Sequence, residues 1–363
     1  MSKTEVLFLC PLRGNGGIVS WAKKYIDHCG DEISLHPVDI SPDKDFTKFT
    51  KLDRIYYGVK AFFKIRRETK KALNQYGNTR ILHIASAGGL GVFRDYWVAT
   101  FCKRRNITSI LHCHFGCIKE LYERTDLIGS LFRKLIAKYD QIWVLDNKSQ
   151  SFLNSFPNNQ GKVFLTPNPV DVPASCDLSP KKYTKIGFVG NLIPSKGIFD
   201  LVLAVKEIEY TELYIVGEGK EEDKQHIKEI AENKIDSFVH FLGRLPNKKA
   251  IEIIDQIDIL ALPTYYQAEA FPISILEAMS RGKLVISCSR AAIPDMLTSV
   301  DGSKCGLLVP PKSPKDIKKA ITWCQTHTKE ADEMCKKAYE KVSQVYRKDV
   351  VYNLYKEIYH KLF

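Results

Sequence analysis

The stretch PTYYQAEAFPISILEAMSRGKLVIS, residues 263–287, decides how this chain is read. It opens at the end of one apolar strand-like run, DILALP (258–263), and closes in another, KLVISC (283–288), with a helical segment between them. Strand, helix and strand within about thirty residues form the repeating unit of a parallel α/β sheet. Pro272 suits the first helical turn, where its missing N–H costs nothing. Ile273, Leu276 and Met279 recur at helical spacing and dock the helix, and Gly282 ends it. The backbone N–H groups of Phe271 to Ser274, with the helix dipole, make an anion site. Glu269 stands in the loop and Glu277 on the helix, so two carboxylates can address hydroxyls flanking a bound phosphate. The bland alternative is a core helix with two solvated acids.

The same alternation extends in both directions. Upstream lie KIGFVG (185–190), ELYIVG (212–217) and FVHFLG (238–243), and after the first of them Ile198, Leu201, Val202, Val205 and Ile208 form a helical stripe. Downstream, 314–326, 329–346 and 349–362 read as helices. The first half repeats the pattern with VLFLC (6–10), ISLHPV (33–38), RILHIA (80–85), TSILHC (108–113), QIWVLD (141–146) and KVFLTP (162–167). Between the halves, NPVDVPASCDLSPKK (168–182) has turn chemistry and no periodicity, so it reads as a linker. The expectation is an α/β chain of two doubly wound domains, 1–172 and 173–348, facing a central cleft, with the terminal helix 349–363 packing back on the first. In such sheets function gathers at the carboxyl ends of the strands.

Composition agrees with this reading. The chain has 363 residues, 44% apolar and 26% charged, which suits two soluble domains and excludes disorder or low complexity. No apolar run is long enough to span a bilayer. The opening MSKTEVLFLCPLRGNGG lacks the apolar length and cleavage site of a secretory signal, and ten scattered cysteines without C-x-x-C read as reduced thiols of a cytoplasmic protein. Charge is uneven: residues 1–172 carry 26 basic and 16 acidic side chains, residues 173–363 carry 28 and 26. The basic half therefore faces a polyanion. Its densest stretch is KAFFKIRRETKK (60–71), where Lys60, Lys64, Arg67 and Lys71 share a helical face and Ile55, Val59, Phe62 and Phe63 supply an apolar side. That composition suits peripheral contact with an anionic membrane. A solvated helix packed on its own domain fits it nearly as well, and no recognition motif for nucleic acid accompanies it.

E-x7-E as EAFPISILE, followed by AMSRGKLVIS, resembles the retaining glycosyltransferases of family 4, of the GT-B fold. FVGNLIPSKG (188–197), LYIVGEG (213–219), FLGRLPNKKAIEII (241–254) and CGLLVPP (305–311) resemble its flanking blocks in order and spacing, and GNGGI (14–18), RILHIAS and LHCHFG (111–116) resemble its first half more loosely. The resemblance implies that Glu269 lies against the donor sugar, Glu277 accepts from the ribose hydroxyls and Lys196 holds the diphosphate. His114 would bond a sugar hydroxyl, and Gly16 and Gly17 would let the backbone approach the phosphates. It implies further donor contacts at Asn191, Gly217, Gly243, Arg244, Ala270, Phe271, Pro272 and Ile273. The family usually has Arg at the position of Asn191 and Gly at that of Ala270. A neutral amide there moves leaving-group stabilisation onto Lys196 and the helix start.

Read by its residues alone, GNGGI is neither a dinucleotide fingerprint, since Val19 stands where the third glycine belongs, nor a Walker A loop. His112 and His114 point to one face of an extended strand end, but no second cluster completes a metal site. Arg94 is a surface residue or an acceptor-phosphate contact. The function implied is metal-independent, retaining transfer of a hexosyl or N-acetylhexosaminyl group to a glycan or lipid-linked hydroxyl. The donor is a nucleoside-diphosphate sugar, UDP-sugar favoured; no other cofactor is expected. The setting is cell-surface polysaccharide synthesis at the inner membrane face. Two alternatives stand beside it, a nucleotide-sugar 2-epimerase and a catalytically silent nucleotide-sugar-binding protein.

Overall fold

The structure, a computed structural model, describes residues 3–14, 16–29, 32–42, 51–232 and 238–362, and of residues 51–55 the backbone alone. The chain divides into two compact units, 1–167 with 352–363, and 168–351.

In the first unit β1 (Thr4–Cys10), α1 (Gly17–His28), β2 (Ile33–Asp39), α2 (Lys51–Gln75), β3 (Ile81–Ser86), α3 (Val92–Lys103) and β4 (Thr108–Cys113) follow one another. α4 (Ile118–Glu123), α5 (Leu127–Lys138), β5 (Gln141–Val144), α6 (Asn147–Asn154) and β6 (Val163–Leu165) complete it. The strands form a parallel sheet in the order β2-β1-β3-β4-β5-β6. Period-two alternation sends different chemistry to its two faces. Leu7, Leu9, Leu82, Ile84, Leu111, Ile142 and Val144 build an aliphatic core with residues of α3 and α5. The residues between them, Phe8, His83, His112 and Trp143, make an aromatic layer with Trp21 and Tyr25 of α1. The chain's final residues return to this layer: Tyr355 packs 5.1 Å from Trp143, and its hydroxyl donates to the Pro167 carbonyl at 2.8 Å.

The second unit holds β7 (Lys185–Val189), α7 (Ile198–Val205), β8 (Glu212–Val216), α8 (Glu221–Ala231), β9 (Val239–Gly243), α9 (Asn247–Gln256) and β10 (Ile259–Leu262). After them come α10 (Ile273–Met279), β11 (Leu284–Cys288), α11 (Ile293–Met296), β12 (Leu307–Val309), α12 (Pro314–Thr326), α13 (Thr328–Lys341) and α14 (Lys348–His360), whose residues from Tyr352 belong to the first unit. The strand order is β12-β11-β10-β7-β8-β9, all parallel. Counted from β7 this is the doubly wound dinucleotide-domain order, and the topological switch falls between β7 and β10. Their loops therefore diverge around a crevice at the strands' carboxyl ends.

Several local expectations change. The helix of the deciding stretch starts at Ile273, so Pro272 precedes it as the cap residue, extended at ψ 115°. Ile275, with Leu276 and Met279, is buried to dock that helix, whereas Ile273 is only half-buried. Lys196, which the sequence suggests opens the helix after IPSKG, sits instead in a short 3₁₀ turn, Pro194–Lys196, because Gly197 interposes a left-handed residue at φ 77° before α7. The stripe's last member, Ile208, lies beyond α7. β12 had no strand signal, being three residues long and closed by Pro310 and Pro311. The expected apolar side of α2 is also turned: Ile65 and Thr69 are buried while Val59 and Phe63 are exposed. The side chain of Ile55 lies outside the described residues.

Candidate active site

The switch point of the second unit carries the residues singled out from sequence. The loop after β7 delivers Asn191 to Lys196, and the loop after β10 delivers Thr264 to Glu269, so 73 positions of chain separate two groups that meet. Two contacts join the loops. The Tyr265 N–H donates to the Ser195 carbonyl at 2.8 Å. Lys196 Nζ donates to Glu269 Oε2 at 2.5 Å, an ion pair with both side chains largely withdrawn from water. Gly197 makes this approach possible, since a Cβ there would lie 2.3 Å from the Pro263 carbonyl oxygen. Thr264 Oγ1 donates to the same Glu269 oxygen at 3.2 Å and accepts the Tyr266 N–H at 3.3 Å. The Tyr266 ring lies 5.8 Å from Lys196 Nζ.

The reading of two solvated acids fails on burial: Glu269 is 8% exposed and Glu277 6%. A carboxylate so enclosed needs charge-assisted partners. Glu269 has Lys196, and Glu277 Oε1 accepts from Asn247 Nδ2 at 2.9 Å, on the first turn of α9. A lysine held against a carboxylate in a crevice can exchange that partner for an incoming anion. Two fixed carboxylates remain to accept from hydroxyls.

The neighbouring strand ends shape the same region of this unit. The Gly217 N–H donates to the Gly243 carbonyl at 2.9 Å, and a Cβ on Gly217 would fall 1.9 Å from the Gly190 carbonyl oxygen. Asn191 and Arg244 are exposed. Ala270, Phe271 and Pro272 are buried; the Ala270 carbonyl accepts from the Ala292 N–H, and that of Phe271 from Asn168 Nδ2 at 3.2 Å. Asn168, Asn247 and Thr264 were missed from sequence. Asn247 stood in a quoted block, but nothing in its local pattern points at Glu277, thirty residues away.

His114, Gly16 and Gly17 belong to the first unit. His114 follows β4 and packs, its ring tilted, against Trp21 at 4.1 Å and His112 at 4.0 Å, its backbone N–H donating to the Ser86 carbonyl. Burial lowers its pKa to about 3, so the ring is neutral at physiological pH. Its Nε2 finds no partner among the described residues. His112 and His83 are likewise buried and held well below the usual imidazole range, first by desolvation and then by the neighbouring imidazoles. His83 Nδ1 pairs with the Tyr359 hydroxyl, and His112 Nε2 with Thr166 Oγ1 at 3.3 Å. Gly16 and Gly17 open α1, and a Cβ on either would meet nothing within 4 Å. Asn15 lies outside the described residues. Arg94 pairs with the buried Asp95 at 2.7 Å. Among the described residues no group of three or more His, Cys, Asp or Glu side chains could hold a metal. An Asp-x-Asp pair, Asp43 and Asp45, lies outside them.

Residues 177–341 match the family described as glycosyl transferases group 1. The D-rhamnosyltransferase WbpZ of Pseudomonas aeruginosa is 30% identical over 159 residues, covering 44% of this chain and 40% of that protein. The putative colanic acid biosynthesis glycosyltransferase WcaL of Escherichia coli is 25% identical over 196 residues, covering 52% and 46%. The chain thus matches less than half the length of either relative. Among solved structures, sucrose-phosphate synthase of Thermosynechococcus elongatus superposes with a TM-score of 0.77 at 15% identity, covering 99% of each chain. HepE of Anabaena in complex with UDP gives 0.71 at 15% identity, covering 98% of this chain and 100% of that one. At such identities the likeness speaks for the fold, which is GT-B with two Rossmann-like domains. Fold and family match together support a GT-B glycosyltransferase.

Proposed function

We propose that the chain is a retaining glycosyltransferase of family 4 type. It moves a hexosyl or N-acetylhexosaminyl group from a nucleoside-diphosphate sugar, a UDP-sugar by preference, to a hydroxyl of a glycan or lipid-linked acceptor. One observation carries the reading: the enclosed Lys196–Glu269 pair spans the switch point at which open α/β sheets bind their ligands. Lys196 exchanges its carboxylate for the donor diphosphate and neutralises the charge that develops there as the glycosidic bond breaks. Glu269, released, faces the sugar and stabilises its oxocarbenium-like state. Glu277, oriented by Asn247, accepts from the ribose hydroxyls. Neutral His114, with an unengaged Nε2, bonds a sugar hydroxyl. A lysine in the leaving-group role lets the reaction run without a resident metal.

The UDP held by HepE and the colanic acid named for WcaL favour a UDP-sugar and a polysaccharide product. The acceptor lies at the inner face of a membrane, although no described helix is long and apolar enough to cross one. A thermal-shift screen against UDP-, GDP- and ADP-sugars tests the donor. A ligand at a hundredfold its Kd stabilises by ~2.7 kcal/mol, and UDP should give the largest shift. Glu269→Ala should fold, keep that shift and lose transfer. Full turnover in that variant, or no shift with any nucleotide, overturns the reading. Conversion of UDP-N-acetylglucosamine to its 2-epimer without acceptor would replace it with the epimerase.

A further inference from the structure

Beside the switch point, the second unit carries a groove that the catalytic reading leaves unused. α7 and α12 each follow a strand of the parallel sheet, so both descend from its carboxyl edge, and between them lies a groove of about 910 Å³. That volume suits a ligand site. α12 has 13 residues, so the groove along it is about 20 Å long. Its upper end lies close to the candidate active site. Two residues before α12, Lys312 Nζ stands 5.3 Å from the Tyr265 ring, and the Tyr265 N–H donates to the Ser195 carbonyl next to Lys196.

The walls combine cations with aromatic surface. α12 contributes Lys315, Lys318, Lys319 and Trp323, and Leu203 and Glu207 stand opposite. Glu207 already pairs with Lys318 at 3.0 Å, so the walls are net positive. His327 stacks on Trp323 at 4.9 Å and fixes the plane of the half-buried indole. At this lower end also stands Tyr210, 90% exposed. It lies beside the last turn of α12, where its neighbour Thr211 accepts from Gln325 Nε2 at 3.0 Å. Its φ of 54° is left-handed, a conformation that glycine adopts at less cost than an aromatic residue. Strain kept by a side chain that the fold leaves in water points to a use outside folding.

A sugar chain with negative charge matches these walls. The C–H face of a pyranose packs on an indole or phenol ring, its hydroxyls reach the threonines 322 and 326 that also line the groove, and carboxylate or phosphate substituents meet the lysines. A second copy of this chain matches less well, because lysine is depleted from protein interfaces. We propose that the groove between α7 and α12, ending at Trp323 and Tyr210, binds an anionic glycan that extends away from the candidate active site. This rests on the transferase reading and deepens it: the acceptor carries carboxylates or phosphates, and the groove holds sugar units beyond the reacting one.

The test is calorimetric titration of the full chain with oligogalacturonate, phosphomannan oligosaccharide and neutral maltoheptaose. At least one anionic glycan should bind ~5-fold or more tighter than the neutral one and weaken as salt rises, and the tighter of the two identifies carboxylate or phosphate as the charge. Tyr210→Gly relieves the left-handed strain, so it should not lower the Tm, yet it should weaken that glycan ~10-fold, whereas Tyr210→Phe retains binding. Lys315→Glu with Lys319→Glu should weaken it ~10-fold. Lys60→Glu with Lys71→Glu, on the basic first unit, should leave it unchanged, which separates the groove from general charge. Equal affinity for charged and neutral glycans, or groove variants that bind like wild type, overturns the proposal. So does polyglutamate or polyuridylate binding as tightly as the glycans, or a dimer that Tyr210→Gly dissolves, which would give the groove to a second copy. Glu269→Ala should bind glycan like wild type. Failure of the catalytic reading therefore leaves glycan binding in place, and failure of the groove leaves the thermal shift with UDP.

Discussion

The carboxyl edges of the two sheets solve the same problem in opposite ways. In the second unit the polar groups at the switch point are charged and paired, Lys196 with Glu269 and Glu277 with Asn247. In the first unit the aromatic layer that runs up to this edge holds three imidazoles, His83 in mid-strand, His112 near the end of β4 and His114 just beyond it, kept neutral by burial. The difference teaches where each unit is sensitive. A buried ion pair is strongly destabilised when one partner is removed, whereas buried neutral bases are destabilised by protons. One edge therefore responds to an incoming anion, the other to acid.

The largest expected effect attacks the charged edge. Lys196→Met leaves Glu269 enclosed without its cation and removes the leaving-group contact. Turnover should fall ~10²–10³-fold, with a smaller loss of donor affinity. Steady-state rates that split the loss between KM and kcat check this, and a rate within a few-fold of wild type would dissolve the contrast. Next is Gly217→Ala, whose new Cβ would stand 1.9 Å from the Gly190 carbonyl. The end of β8 has to shift, and a loss of about 3 kcal/mol is expected for the second unit alone, read from denaturant midpoints. An unchanged midpoint would mean that this strand end yields freely.

Acid comes third and probes the other edge. An unfolded histidine titrates near 6.5, but the buried ones do so much lower, His114 at about 3. Their contribution is complete above about pH 6.5 and is lost as pH falls towards the folded value, because the unfolded chain then binds protons that the native unit excludes. His114 should cost ~2 kcal/mol between pH 6.5 and 5, and His83 and His112 act in the same direction. Hydrogen exchange across that range should deprotect β3 and β4 well before β10 and β11. Equal response of the two sheets would erase the comparison. The smallest effect sharpens it: Glu277→Gln keeps a hydrogen-bonding shape beside Asn247 but loses the charge, and should raise the donor KM ~10-fold with kcat little changed. A loss confined to kcat would assign Glu277 to the reacting centre.

How much of this was legible in sequence differs by element. TSILHC (108–113) and 314–326 coincide with β4 and α12, because alternation and helical stripes are local signals bounded by turn residues. The E-x7-E spacing drew attention to Glu269 and Glu277, yet it could not say that both are buried. α2 was read as a basic amphipathic helix, but its inward face could not be told from periodicity, since Val59, Phe63 and Ile65 are all apolar and only packing chooses among them.

The order of strands, the helices between them and the glycines that punctuate the loops follow from the chain itself, because backbone preference and side-chain period act over a few residues. What tertiary structure alone decided is the neighbourhood of distant groups. The sheet order β10-β7 sets Glu269 beside Lys196, and β3-β4 adjacency stacks His83 with His112. Such pairs owe their chemistry to burial and to partners far along the chain, and no local pattern encodes the desolvation that gives a carboxylate a lysine or keeps an imidazole neutral.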